Sequence, residues 1–225
     1  MTDSTSANNN HDYRVTESSV LFDGPIIAVR RDTLTTTTGE ATREIVEHFS
    51  AVGIAAVKDD HVLMIRQYRH GVGRYLWEVP AGLLDVVGEE PLEAAKRELA
   101  EEAGVRAEEW HLLGDVVTSP GFSEEMCRIY VAEGIEDLHE ADVEGLEEAK
   151  DEEADLERRW VPLTQAIEWV QDGTVENSIA VAAILHLAVG TRRDPHAPFQ
   201  YRSGLAKRRA QAEGAQAGAD MKTLR

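Results

Sequence analysis

Gly82-Leu-Leu-Asp-Val-Val-Gly-Glu-Glu-Pro-Leu-Glu-Ala-Ala-Lys-Arg-Glu-Leu-Ala-Glu-Glu-Ala-Gly-Val105 is the stretch from which the rest of the chain is read. Its second half places three carboxylates, Glu98, Glu101 and Glu102, inside five residues of an expected helix. At about 3.6 residues per turn, Glu98 and Glu102 stand one above the other and Glu101 stands beside them. Leu92, Ala95, Leu99 and Ala103 fall on the opposite side, where a core would lie. The negative charge is thus gathered on one face. Carboxylate oxygens at this spacing suit Mg²⁺, which takes oxygen ligands and shares its shell with substrate phosphates.

A solvated helix face explains many such sequences. Glu93–Arg97 and Arg97–Glu101 are i,i+4 pairs that support any exposed helix. The longer pattern decides against that reading. From Glu89, through seven residues to Arg97, and on through Glu98, Glu101, Glu102 and Gly104 to Val105, the segment resembles the Nudix signature at every specified position. A constrained pattern of that length rarely arises by chance, unlike a short glycine motif. One departure stands out: six residues, where the signature has five, separate Gly82 from Glu89. The extra residue lies before Pro91, where the helix is expected to start. It leaves Glu98, Glu101 and Glu102 in register with one another, and bears on how Gly82 and Asp85 sit against the helix.

Composition narrows the class. A chain of 225 residues, 42% of them hydrophobic, has enough material for one sizeable core with a small accessory layer. No apolar run approaches the length of a membrane span. The polar start, Met1 to Asn10, lacks the basic and apolar regions of a secretory signal, so cytoplasm is the expected compartment. The single cysteine, Cys127, excludes an internal disulfide framework and a cysteine-rich zinc site. A formal net charge of −19 argues against a nucleic-acid binder. It also repels a phosphorylated substrate, so bound cations and a few placed arginines would have to invert the local field.

Along the chain, residues 1–12 read as a disordered tail and residues 13–49 as a small antiparallel β layer, with Asp23-Gly24-Pro25 as a turn. Residues 50–200 carry the main domain. Val52–Val57 and Val62–Ile65 form a hairpin, strands recur at Trp110–Val117, Cys127–Val131 and Trp160–Pro162, and helices are expected at Thr164–Asp172 and Asn177–Val189. Residues Glu136 to Glu157 are acidic and aperiodic, and read as a long loop. Residues 201–225 read as a mobile C-terminal tail. The fold class is α/β, with a mixed sheet between helices. The Nudix resemblance implies the same α/β/α sandwich over roughly residues 50–190.

Within that family the chain resembles the ADP-ribose pyrophosphatase branch. Three features carry this: a β layer before the main domain; Pro120, sixteen residues beyond Gly104, followed by Gly121; and the pair of segments Arg66-Gln67-Tyr68-Arg69 and Trp77-Glu78-Val79-Pro80-Ala81-Gly82. The resemblance implies metal-dependent hydrolysis of the ADP-ribose pyrophosphate to AMP and ribose 5-phosphate, with Mg²⁺ or Mn²⁺ as cofactor. It implies that Glu98, Glu101, Glu102 and the Ala81 carbonyl hold metal, with Arg97 steadying the glutamates and Glu101 as a further candidate base. Arg69, Glu78, Pro120 and Gly121 are the implied substrate contacts. The glutamate that positions the attacking water is expected in the acidic loop, at Glu152 or, next, Glu153. A homodimer that pairs through the β layer and shares its substrate pocket is also implied. Two alternatives stay open: hydrolysis of another nucleotide sugar or a dinucleoside polyphosphate, and a non-catalytic ADP-ribose-binding module.

Overall fold

The computed structural model describes residues 13–139 and 156–224. The expected N-terminal tail and most of the acidic stretch, including Glu152 and Glu153, lie outside the described residues.

The first three strands, β1 (Arg14–Asp23), β2 (Ile27–Thr36) and β3 (Gly39–His48), form a separate antiparallel sheet. The turn read at Asp23-Gly24-Pro25 joins β1 to β2. β2 runs to Thr36 and pairs there with Gly39. Every residue of β1 is exposed, including Val15, Val20, Leu21 and Phe22.

The main sheet has seven strands: β4 (Ala51–Lys58), β5 (His61–Arg69), β6 (Arg74–Glu78), β7 (Ala81–Leu83), β8 (Val105–Val117), β9 (Met126–Asp137) and β10 (Glu157–Pro162). The order is β10-β5-β4-β9-β8, with β6 beside β5 and β7 beside β4. The β4–β9 pair is parallel and the other pairs are antiparallel. Ala51 to Ala56 are buried without a break, as expected of a central strand covered on both faces.

Helices supply the covers. On one face α1 (Pro91–Ala103) sets Leu92, Ala95 and Leu99 against Val52, Ile54, Leu112 and Tyr130. On the other, α2 (Leu163–Asp172) and α3 (Ser178–Ala188) set Ala166, Ala180, Ala183 and Ile184 against Ala55, Met64, Leu113 and Ile129. Burying a side chain such as Leu99 contributes about 2 kcal/mol. The result is the expected α/β/α sandwich with a mixed sheet, preceded by a small antiparallel one. No helix among the described residues is long and apolar enough to cross a membrane.

The expected mobile tail is a correction. Residues 201–224 include α4 (Gly204–Arg209), and Leu205 and Met221 join Ala28 and Phe49 in a third small core. The stretch has few large apolar residues, and its charges find partners on the β layer. Arg208 pairs with Glu47 at 2.5 Å, and Arg209 pairs with Asp23 at 2.7 Å.

Candidate active site

The carboxylate cluster is built on α1 and on the strand that precedes it. Pro91 stands in the first turn, where its missing N–H costs nothing. Gly104 ends the helix in the left-handed region, at φ 67°, and its N–H closes onto the Ala100 carbonyl at 2.9 Å. Between these ends the apolar positions are spent on the core, so the glutamates face away from it.

Arg97 organises them. Its Nε and Nη2 donate to the two oxygens of Glu89, each at 3.0 Å, in a bidentate fork. Its Nη1 donates to Glu98 Oε1 at 2.7 Å and to Glu101 Oε2 at 3.0 Å. The Glu89 hydrogen bonds are the main reason that this guanidinium is held firmly protonated. Glu102 turns instead to β7, where its Oε2 accepts from the Ala81 N–H at 2.9 Å. The structure therefore places Glu98 and Glu101 on Arg97 and Glu102 on Ala81, and adds Glu89 to the group.

Gly82 explains why a glycine precedes the helix despite the extra loop residue. A Cβ there would lie 1.9 Å from Glu98 Cδ and 2.0 Å from its Oε1. The Glu98 carboxylate occupies the space that any other residue would fill. Burial pushes the Glu98 carboxyl up to about 7; Arg97 opposes the shift, while Glu101 and Asp85 add like charge.

The donor set fits a hard divalent cation. Three carboxylates, Glu89, Glu98 and Glu101, surround one guanidinium, Glu102 follows one turn on from Glu98, and all their donors are oxygen. Among the described residues no three acidic, histidine or cysteine groups converge as a ready cage. Glu98 and Glu101 lie on Arg97, and Glu102 lies on the Ala81 amide.

The other expected contacts are placed as follows. Arg69 Nε and Nη2 donate to buried Glu78 at 2.9 and 2.6 Å, so these two engage each other across β5 and β6. Pro120 and Gly121 are exposed in a turn between β8 and β9, closed by the Phe122 and Ser123 N–H groups on the Ser119 carbonyl. That turn docks on β3 through the Val46 N–H to the Phe122 carbonyl at 2.7 Å.

Sequence reasoning missed two features. One is a charged junction: Arg30 meets Asp32 at 2.9 Å, and Glu47 and Glu124 at 2.7 Å each. Glu124 also accepts from the Gly204 N–H at 2.5 Å. The other is Asp85, buried and paired with Lys222. A cavity of about 1120 Å³ opens beside the start of α1, with Arg128, Phe199 and Tyr201 in its wall; of the carboxylate cluster, only Glu89 lines it.

Comparison with known proteins agrees with this geometry. The NUDIX domain matches residues 47–181, more than half of the chain. The chain belongs to the NUDIX family. It is 46% identical over 177 residues to an ADP-ribose pyrophosphatase of Mycobacterium tuberculosis (strain ATCC 25618 / H37Rv), covering 78% of this chain and 83% of that one. It is 34% identical over 169 residues to a methanol dehydrogenase activator of Bacillus methanolicus, covering 74% and 88%. A crystal structure of an ADP compounds hydrolase superposes with a TM-score of 0.65 at 24% identity, covering 79% of this chain and 92% of that one. At that identity the likeness speaks for the fold.

Proposed function

We propose that this NUDIX enzyme hydrolyses the pyrophosphate of ADP-ribose to AMP and ribose 5-phosphate, with Mg²⁺ as cofactor and Mn²⁺ as a substitute. The observation that carries the reading is the intact set Glu98, Glu101 and Glu102 gathered on Arg97 and β7. The substrate follows from similarity: the relative at 46% identity is an ADP-ribose pyrophosphatase, and the methanol dehydrogenase activator stands lower, at 34%. A non-catalytic module would not need all three glutamates.

Glu98, Glu101, Glu102 and the Ala81 carbonyl would hold the metal. When bound, divalent cations neutralise the pyrophosphate and lower the pKa of the attacking water. Arg97 keeps the carboxylates aimed, and Glu89 keeps Arg97 aimed. Water adds its oxygen to one phosphorus, the bridging oxygen leaves with the other phosphate, and a carboxylate takes the proton. Glu152 is our assignment for that carboxylate, ahead of Glu153, with Glu101 as the candidate within the signature. Arg69, Glu78, Pro120 and Gly121 are assigned to substrate.

A homodimer through the β layer completes the reading. Val15, Val20, Leu21, Phe22, Ile26 and Ile27 are all at least 40% exposed on or beside β1 and β2, and so many exposed large apolar side chains in one small sheet call for a cover. A cytoplasmic setting accords with the lone cysteine, Cys127.

The test is a panel of nucleoside diphosphate derivatives with Mg²⁺, with products resolved as AMP and ribose 5-phosphate. Turnover of GDP-mannose or diadenosine polyphosphates equal to that of ADP-ribose overturns the substrate while leaving the chemistry. Full activity in a species that sedimentation shows to be monomeric overturns the shared pocket.

A further inference from the structure

The loop between β7 and α1 touches the carboxylate cluster at both ends. At its start Gly82 seats Glu98. At its end Glu89 takes the bidentate fork of Arg97. The middle, Leu84 to Gly88, holds the residue by which this chain exceeds the signature. A lengthened loop has more conformations to lose, so something must hold it if both ends are to stay in place.

The holder is the C-terminal segment. Val86 and Asp220 form an antiparallel bridge. The Val87 N–H donates to the Ala219 carbonyl at 3.0 Å, the Gly218 N–H to the Val87 carbonyl at 2.9 Å, and the Met221 N–H to the Asp85 carbonyl at 2.7 Å. Lys222 Nζ closes on the carboxylate of Asp85, a residue only 4% exposed. Asp220 aims that lysine: its Oδ1 accepts from the Lys222 N–H at 2.8 Å, and its carbonyl accepts from Thr223 Oγ1 at 2.8 Å. The segment has its own footing, because Met221 packs with Leu205 and Phe49, and α4 is tied to the β layer through Arg208 and Arg209.

We propose that residues 218–222 clamp the lengthened signature loop, and that Lys222, acting through Asp85, is a positioning residue for the metal-binding glutamates. This rests on the reading of Glu98, Glu101 and Glu102 as metal ligands. Lys222 touches neither substrate nor metal. It sets how readily the cluster accepts the cation, and the chemistry after the cation is bound does not depend on it.

The experiment compares full-length Lys222→Met and Lys222→Arg with the parent chain. In Lys222→Met the Mg²⁺ concentration for half-maximal activity, and the Mg²⁺ dissociation constant by calorimetry, should each rise about tenfold. At saturating Mg²⁺, kcat and the KM for substrate should stay within about twofold. Amide exchange at Val87 and Met221 should speed about tenfold, while that of Ile54 in β4 should not change. Lys222→Arg should restore the metal constant, since it can still pair with Asp85 and hold the loop. Unchanged exchange at Val87 in Lys222→Met overturns the clamp. Faster exchange with an unchanged Mg²⁺ constant overturns the positioning role, as does a fall in kcat that saturating metal does not repair. If the parent chain does not cleave ADP-ribose, the substrate reading has failed; exchange and calorimetry still decide the clamp.

Discussion

Gly82→Ala is the sharpest single perturbation of the cluster. The added Cβ would stand 1.9 Å from Glu98 Cδ, 2.0 Å from Oε1 and 2.3 Å from Cγ, so one side must move. β7 is held in register, with Ala51, Val52 and Gly53 opposite Leu83, Gly82 and Ala81. Shifting it would break the ladder hydrogen bonds that β7 makes with β4. Glu98 is a flexible side chain held by one charge-assisted bond to Arg97, so rotating Glu98 away is the cheaper escape. That escape forfeits roughly 1.5–3 kcal/mol of hydrogen bonding to a charged group. It also removes one oxygen donor from the place where the cation would sit. A loss of about 2.7 kcal/mol in the transition state corresponds to about a hundredfold in kcat/KM.

Folding should be largely spared, because the displaced carboxyl moves towards water and off an unfavourable buried site. The assay is kcat/KM for ADP-ribose at saturating Mg²⁺, beside a thermal melt. A hundredfold loss with a melting temperature within about 4 °C of the parent supports the argument. Activity within about twofold of the parent refutes it. A collapse of the melting temperature refutes it in another way, by showing that β7 gives before Glu98 does.

Three other outcomes are expected. Glu98→Gln or Glu102→Gln should each lower kcat by about a thousandfold, or about 4 kcal/mol of barrier, with the fold retained; near-normal rates in both at saturating metal would rule out this site. Glu152→Gln should lower kcat by about a hundredfold with ADP-ribose affinity nearly unchanged, and Glu153→Gln should do much less; if the Glu153 change is the damaging one, the assignment is off by one residue, and if neither matters Glu101 becomes the base to test. The third outcome concerns pH. The approach of His48 Nδ1 to within 3.0 Å of Glu125 Oε1, against the opposing effect of burial, holds Glu125 below the ordinary glutamate range, with Thr118 assisting. A depressed carboxyl stabilises the fold above its unfolded value, and the benefit is lost as pH falls through the folded value. Denaturant titrations of Glu125→Gln should therefore show a shallower loss of stability than the parent between about pH 5 and pH 3; parallel curves would refute the pairing.

The cluster was legible because its geometry is local. Glu98, Glu101 and Glu102 share a face by helical spacing alone, and the same period commits Leu92, Ala95 and Leu99 to the core. Gly104 likewise advertises the helix end within one turn. Arg69 and Glu78 entered from the sequence only as substrate contacts that the resemblance implies, and their mutual pairing was not legible, because it depends on β5 and β6 aligning Arg69 opposite Arg74 and Ile65 opposite Glu78. The docking of the Pro120 turn on β3 is of the same kind, since nothing near Pro120 names Val46 as its partner. The C-terminal segment is the limiting case. Its large apolar residues are few and its charges many, and those are the marks of a solvated tail. What folds it is a set of partners that local pattern cannot reveal: Asp23 for Arg209, 186 positions away, and Asp85 for Lys222. The extra residue between Gly82 and Glu89 was the one local hint that the loop needed support. A loop that departs from a strict signature while keeping every chemical position intact has to be restrained from outside it, and here the restraint comes from the far end of the chain.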